Sequence, residues 1–297
     1  MHLYDEIKSH FKIPNAFSNW ENYRNTLTSY LIAETDQISL PLSFGNHMKE
    51  TEFLPTLAII GAGSCNDLDL AALSAHFSKI TLIDYDMDAM KEALTTYHLE
   101  NNPVIELRPG SLNGLDDADY QQFCEQLQVF VTACGSSLSR KDFDTYALSL
   151  LENFYEKSRK TTIPLFPASY DYIWCFGVHS QLQSMFSYIY QVFEINLKDI
   201  FTNNSEPSLN SFTHRLKEEN NYFIPRFHDA ILASAKKSVF IGCEHKRLGV
   251  NTAIEGAYQG IYDLRNRHLS MTEHVILWNF YPEKHISYEM LIQKITL

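Results

Sequence analysis

Basic residues are scarce: the 297-residue chain carries 24 Lys and Arg against 36 Asp and Glu, a formal net charge of −12. A protein that tracks a phosphate backbone needs a basic face, so no nucleic-acid partner is expected. Long apolar runs are missing too. No stretch approaches the ~18 uninterrupted apolar residues of a spanning helix, and no membrane partner is expected. Asp5 and Glu6 precede any apolar run at the N-terminus, which does not suit a secretory signal. The cysteines are few and scattered: Cys65, Cys124, Cys134, Cys175 and Cys243. An odd number without paired spacing fits neither a disulfide framework nor a zinc site, so reduced thiols in a cytoplasmic protein are expected, with no metal. In that compartment the sequon Asn203-Asn204-Ser205 carries no meaning. With 11 glycines and 10 prolines, collagen-like and low-complexity classes are excluded.

What is present is apolar material, 45% of residues hydrophobic and 13% aromatic. That is enough for one elaborated domain or two small ones. Residues 1–50 read as an N-terminal helical extension, packed on a core or capping a cleft. Tyr4, Ile7 and Phe11, then Trp20, Tyr23, Leu27, Tyr30 and Leu31, recur at helical spacing, with Pro14 between the runs. From residue 51 to 297 the pattern is α/β. Leu57–Ile60 is a short continuous apolar run, and Ile80–Ile83 and Val104–Leu107 are mostly apolar runs separated from it by helical stretches. Strands too apolar to face water on either side belong to a parallel sheet covered on both faces.

The first run leaves through Gly61-Ala62-Gly63, and Asn66 or Asp67 can cap the helix that follows. Residues 117–160 read as a helical insert interrupted near Gly135, although Val129–Val131 suits a strand equally well. Asp171–Phe176 is a fourth strand, followed by Gly177–Ser180 and a helix through Met185, Ile189 and Val192. Thr202–Asn221 reads as a polar loop, Phe227–Lys237 as a helix and Val239–Ile241 as a fifth strand. Two final strands around Val275–Trp278 and Tyr288–Leu297, joined by a turn, make an antiparallel hairpin. The expectation is a doubly wound, mostly parallel, seven-stranded Rossmann-like sheet that ends in that hairpin.

In such a sheet ligands bind beyond the carboxyl ends of the strands. Glycines at the end of the first strand let backbone approach a ligand, and helix N-terminal N–H groups attract an anion. Asp84 ends the second strand 84 − 63 = 21 positions after the second glycine, a spacing that suits an acid accepting hydrogen bonds from ribose. The dinucleotide fingerprint wants a third small residue where Asn66 stands, and Asp67 would face a pyrophosphate with like charge. An aminoacyl nucleoside fits better: its carboxylate takes the N–H groups, and its ammonium or sulfonium tolerates the acids. The charge pattern therefore favours S-adenosylmethionine over NAD.

The segments LAIIGAGSCNDLDL, ITLIDYDMDAM and DYIWCFGVHSQL resemble motifs of the class I S-adenosylmethionine-dependent methyltransferases. The likeness runs well over Pro55–Leu115, fairly over Tyr170–Phe193 and in outline over the last sixty residues. It implies that Gly61, Ala62, Gly63 and Asp67 hold the methionine part and Asp84 the ribose. Tyr85 would lie against the adenine, Ser111 or the Leu112 backbone would take its amine, and Gly177 and Val178 would complete the cofactor set. Cys65 stands where the family often has a third glycine. His179, beyond the fourth strand, is the candidate general base, or else a structural histidine ordering its turn. Gln181, Glu244 and His245 are candidate substrate contacts, and Ser180 either polarises substrate or caps its helix. Trp278, Tyr281 and Tyr288 serve as hairpin core or as an aromatic wall. The expected activity is methyl transfer to a small-molecule or peptide-like acceptor. The alternatives are an NAD(P)-dependent oxidoreductase and a non-catalytic binding protein.

Overall fold

A computed structural model of the chain describes residues 3–10, 12–39, 54–201, 209–250 and 254–297. Three helices come first: α1 (Leu3–Ser9), α2 (Ala16–Asn19) and α3 (Glu21–Ser39). Then β1 (Thr56–Ile60), α4 (Leu70–Ser74), β2 (Lys79–Asp84), α5 (Met87–Thr96) and β3 (Ile105–Pro109) alternate. Two long helices follow, α6 (Asp117–Cys134) and α7 (Arg140–Lys160), then β4 (Tyr170–Phe176), α8 (Ser184–Leu197), α9 (Leu209–Ser234), β5 (Ala235–Arg247) and α10 (Ala257–Asn266). The hairpin β6 (Met271–Tyr281) and β7 (Ile286–Thr296) closes the chain.

The sheet has seven strands in the order β3-β2-β1-β4-β5-β7-β6. The first five are parallel, and β7 runs antiparallel between β5 and β6. This is the hairpin-ended Rossmann-like sheet that the apolar runs predict. Period-two alternation sends Leu57, Ile59, Tyr172, Trp174 and Phe240 to one face, packed under α3, α4 and α5. Ala58, Ile60, Ile173, Cys175 and Ile241 go to the other face, under α9 and α10. A third core, all helical, joins α1, α6, α7, α8 and α9 around Phe123, Phe143, Phe186 and Phe212.

Several local expectations change. Val129–Val131 is helix, inside α6, whose start is fixed by a capping box between Asp116 and Asp119. Residues 209–221 are not loop but the first half of α9, which passes through Pro225. The buried stripe Phe212, Leu216, Phe223, Phe227 and Ile231 holds it to the body, so tertiary burial outweighs the proline and the polar outer face. Residues 202–208 and 40–53 lie outside the described residues. The fifth strand is longer than its apolar centre, and α10, unmarked by any sequence signal, packs against β5 and α9.

The connection from β3 through α6 and α7 returns to the far side of β1. The chain therefore reverses direction across the sheet between β1 and β4, and a crevice opens at their carboxyl ends.

Candidate functional site

The backbone after β1 turns sharply. Gly61 has φ +70°, and a Cβ there would sit 2.3 Å from Val178 Cγ2. Gly63 has φ +47° with open space on its Cβ side. Cys65, where a third glycine was the common pattern, adopts φ +45° itself, so a non-glycine keeps the left-handed bend. The next helix starts later than expected. Asp69, not Asn66 or Asp67, caps α4 by accepting the Ala72 N–H at 3.0 Å. The bend is therefore a nine-residue arch, 61–69. Arg24 supports it from α3, donating to the Asn66 carbonyl at 3.1 Å, and Tyr97, just past the end of α5, donates to the Leu68 carbonyl at 2.7 Å.

Asp84 ties β2 to this arch. One carboxylate oxygen accepts the Gly63 N–H at 2.9 Å and the other the Asp86 N–H at 2.9 Å. Burial pushes its pKa up, against the pull of these N–H donors. A carboxylate has about four acceptor positions, so both oxygens keep capacity for a ligand hydroxyl. Asp67 is partly buried, and desolvation pushes it up to about 6 although a backbone hydrogen bond and the Arg24 charge pull it down. Tyr85 stands half exposed. The Ser111 hydroxyl is engaged by its own loop, donating toward the Leu115 carbonyl at 2.5 Å, and Asn113 ties that loop to the Leu182 carbonyl at 2.7 Å. Gly177, at φ +64°, brings the end of β4 alongside β5 through an N–H bond to the Gly242 carbonyl of 2.9 Å.

These pieces enclose one cavity of about 470 Å³. All ten residues assigned to the cofactor line it: Gly61, Ala62, Gly63 and Asp67 on the arch, Asp84 and Tyr85 after β2, Ser111 and Leu112 after β3, and Gly177 and Val178 after β4. Gln181 lines it as well. More of the wall comes from the two ends of the chain, where the sequence suggested a helical cap and an aromatic wall. Lys8, Lys12, Ile13 and Trp20 come from the N-terminal helices and their links, and Trp278 and Phe280 from β6. Trp278 serves as core and wall together: it stacks on Tyr23 with ring centroids 5.0 Å apart, meets Trp20 edge to face at 4.8 Å, and still borders the cavity. Tyr281 lies at the hairpin turn under Lys284, and Tyr288 packs on Phe280 at 5.4 Å.

Three expected residues are elsewhere. His179 does not face the cleft: it is fully buried, packed against Gly260 of α10, with its Nε2 2.8 Å from Nε2 of His228. His228 Nδ1 lies 2.6 Å from Asp263, which also receives Arg267 at 2.6 Å. With the His228 Nδ1 proton given to Asp263, its Nε2 accepts from His179, whose own Nδ1 has no partner. Burial and the neighbouring imidazole hold His179 well below the usual histidine range, so it is a neutral structural side chain. Glu244 and His245 do not form a pair at the rim. The ladder of β5 shifts register between Glu244 and Lys246, and the two side chains have separate surroundings. Glu244 is buried and accepts the Ser180 hydroxyl at 2.9 Å, behind Gly177. His245 is exposed, 4.0 Å from Glu289. Neither lines the cavity.

Among the described residues no helix is long and apolar enough to cross a membrane. No protein-family profile matches the sequence, and no curated protein does. Solved structures match over nearly the full length at low identity. A SAM-dependent methyltransferase from Aquifex aeolicus is 11% identical, with 98% of this chain and 99% of that one covered and a TM-score of 0.42. The O-methyltransferase TomG from Streptomyces achromogenes, involved in tomaymycin synthesis and solved with SAM, is 9% identical over 99% and 96%, with a TM-score of 0.40. The magnesium protoporphyrin IX methyltransferase of Synechocystis, solved with bound SAH, is 10% identical over 92% and 96%, with a TM-score of 0.39. By its own strand order and antiparallel ending, the chain has the Rossmann-like fold of the class I methyltransferases.

Proposed function

We propose that this chain is an S-adenosylmethionine-dependent methyltransferase acting on a small-molecule or peptide-like acceptor. The observation that carries the reading is the convergence of the glycine arch, Asp84 and the ends of β3 and β4 on one cavity. The donor set suits this cofactor. The arch offers backbone N–H groups and glycine-width clearance at Gly63 for a carboxylate. Asp67 is a partly buried acid with no hydrogen-bonded cation among the described residues, suited to an ammonium. Asp84 would take the ribose hydroxyls, Tyr85 the adenine face, and the Ser111–Leu112 backbone the adenine amine. A dinucleotide pyrophosphate would instead meet Asp67, an unfavourable pairing.

The cofactor, when bound, supplies a methyl group on a positively charged sulfur. The residues of the chain hold, align and dry the reactants, which is sufficient for an in-line displacement. Trp20, Trp278 and Phe280 form the apolar side on which an acceptor would lie, with Gln181 to orient it. In this reading the N-terminal helices and the 117–160 insert set specificity. Incubation with methyl-labelled S-adenosylmethionine and a cell extract tests it. Label should pass to a product whose mass identifies the acceptor, and Asp84→Ala should reduce the transfer about ten- to a hundredfold at cofactor below saturation. Label transfer that is indifferent to Asp84 would contradict the reading.

A further inference from the structure

The sheet ends differently on its two sides. At one edge β3 has five residues and carries Glu106, Arg108 and Pro109. Shortness, charge and proline are the features that keep a sheet edge from pairing with another chain. At the other edge β6 has eleven residues and no lysine, arginine, proline or glycine. Its one carboxylate, Glu273, is held by Arg265 through two bonds of 2.8 Å. The ladder to β7 is regular from Met271 to Trp278, and no described strand pairs with the outer side of β6. Thr272, Glu273, His274 and Val275 are exposed in succession. Ile276 and Trp278 are buried against α3, whereas Val275 is 48% and Leu277 52% exposed.

We propose that β6 is a dimer interface, pairing antiparallel with β6 of a second copy about a two-fold axis at Ile276. The strand is its own complement around that residue. Val275 and Leu277 stand one position either side of the axis, so each Val275 faces the Leu277 of the other copy and two apolar pairs form. Glu273 and Asn279 stand three positions out and face each other in the same way. The Asn279 Oδ1 accepts the Ser287 hydroxyl at 3.0 Å, which leaves the amide N–H groups to donate to the opposite Glu273 carboxylate. No like charges are opposed. An axis at Glu273 would set two carboxylates against each other, and an axis at Val275 would set Glu273 against Leu277. A two-fold contact requires such self-complementarity, which a strand of unrelated sequence has no reason to match. The pairing also gives partners to the outward N–H and C=O groups that an edge strand leaves open. It uses the sheet edge and not the glycine arch, so it does not rest on the methyl-transfer reading.

Sedimentation of the full chain tests this. The unaltered protein should show a reversible monomer–dimer equilibrium between about 1 and about 100 μM, in salt high enough to screen the charge of −12 on each copy. Leu277→Lys gives β6 the protection that β3 already has, and should weaken the dimer at least tenfold with the circular dichroism spectrum unchanged. Asn279→Glu should do the same by opposing two carboxylates. The register is read by cross-linking: an oxidised mixture of Val275→Cys and Leu277→Cys chains should form covalent dimer faster than either variant alone. A chain that stays monomeric throughout, a dimer indifferent to Leu277→Lys and Asn279→Glu, or equal cross-linking in mixed and single samples would overturn the interface. The cysteine variants add no bulk at exposed positions, so they decide the matter even if Leu277→Lys fails to fold. A monomer that binds S-adenosylhomocysteine would refute the dimer and leave the proposed function intact.

Discussion

The Asp84 carboxylate accepts the Gly63 N–H across 2.9 Å, so the end of β2 and the arch after β1 are one unit. Its second oxygen does the same for Asp86. An acid and a glycine 21 positions apart thus shape the same wall. Asp84→Ala leaves two N–H groups without their acceptor and, on the proposed function, removes the ribose partner. It should weaken S-adenosylhomocysteine by ~1.5–3 kcal/mol, the worth of a hydrogen bond to a charged group. Asp84→Asn, which keeps one acceptor, should lose less. Calorimetry on the three proteins gives the order.

The two glycines of the bend should not be equivalent. Gly63→Ala meets no atom within 4 Å and carries only the left-handed strain of φ +47°, ~1–2 kcal/mol. Gly61→Ala adds a collision with Val178 Cγ2 at 2.3 Å, and overpacking costs a further ~1–3 kcal/mol. Urea unfolding should rank Gly61→Ala clearly below Gly63→Ala. The reverse order would mean that the arch is not held against β4.

Asp67 makes a pH prediction of defined sign. Burial raises it from 3.8 to about 6. Between those values the folded chain keeps a proton that the unfolded chain has released, so this residue subtracts stability as pH rises from about 4 to 6. Asp67→Asn should therefore stabilise the free protein at pH 7 by up to about 3 kcal/mol, the linkage value of such a shift. It should also flatten ligand binding: affinity for S-adenosylhomocysteine rises from pH 5 to pH 7 in the unaltered chain, because ionised Asp67 suits the ligand's ammonium. Parallel pH profiles in the two proteins would remove Asp67 from the site.

His179 and His228 act with the opposite sign. Both are held below 6.5, chiefly by burial. As pH falls below that value the unfolded chain gains protons that the folded one refuses, and stability drops by up to ~1.4 kcal/mol per pH unit for each group. His179→Asn should lower stability at pH 7 and reduce the slope between pH 6.5 and 5.5 by about one proton, read by denaturation at several pH values. A catalytic His179 would instead leave stability untouched and change the pH profile of turnover.

The parts of the fold that were legible in the sequence are those with local causes. Leu57–Ile60 and Ile80–Ile83 are apolar on both faces because helices cover both, and the Gly61 and Gly63 bend and Asp84 follow directly from strand ends. Other features depend on distant partners. Trp20 and Lys8 reach the cavity from the N-terminal helices, and no spacing rule relates them to Trp278. The first half of α9 reads as loop, since its buried stripe is masked by an outer face of Lys217, Glu218 and Asn221. Position 179 follows a strand in the same way as a catalytic residue would. Its direction is decided by two glycines: Gly256, just before α10, lies against the His179 backbone carbonyl, and Gly260 of α10 leaves room for the imidazole behind the wall.

Side-by-side calorimetric titration of the unaltered chain with S-adenosylhomocysteine, NAD and NADP tests the account most directly. The account predicts one S-adenosylhomocysteine per chain and no heat from either nicotinamide. Binding of a nicotinamide nucleotide alone, or of none of the three, would contradict it.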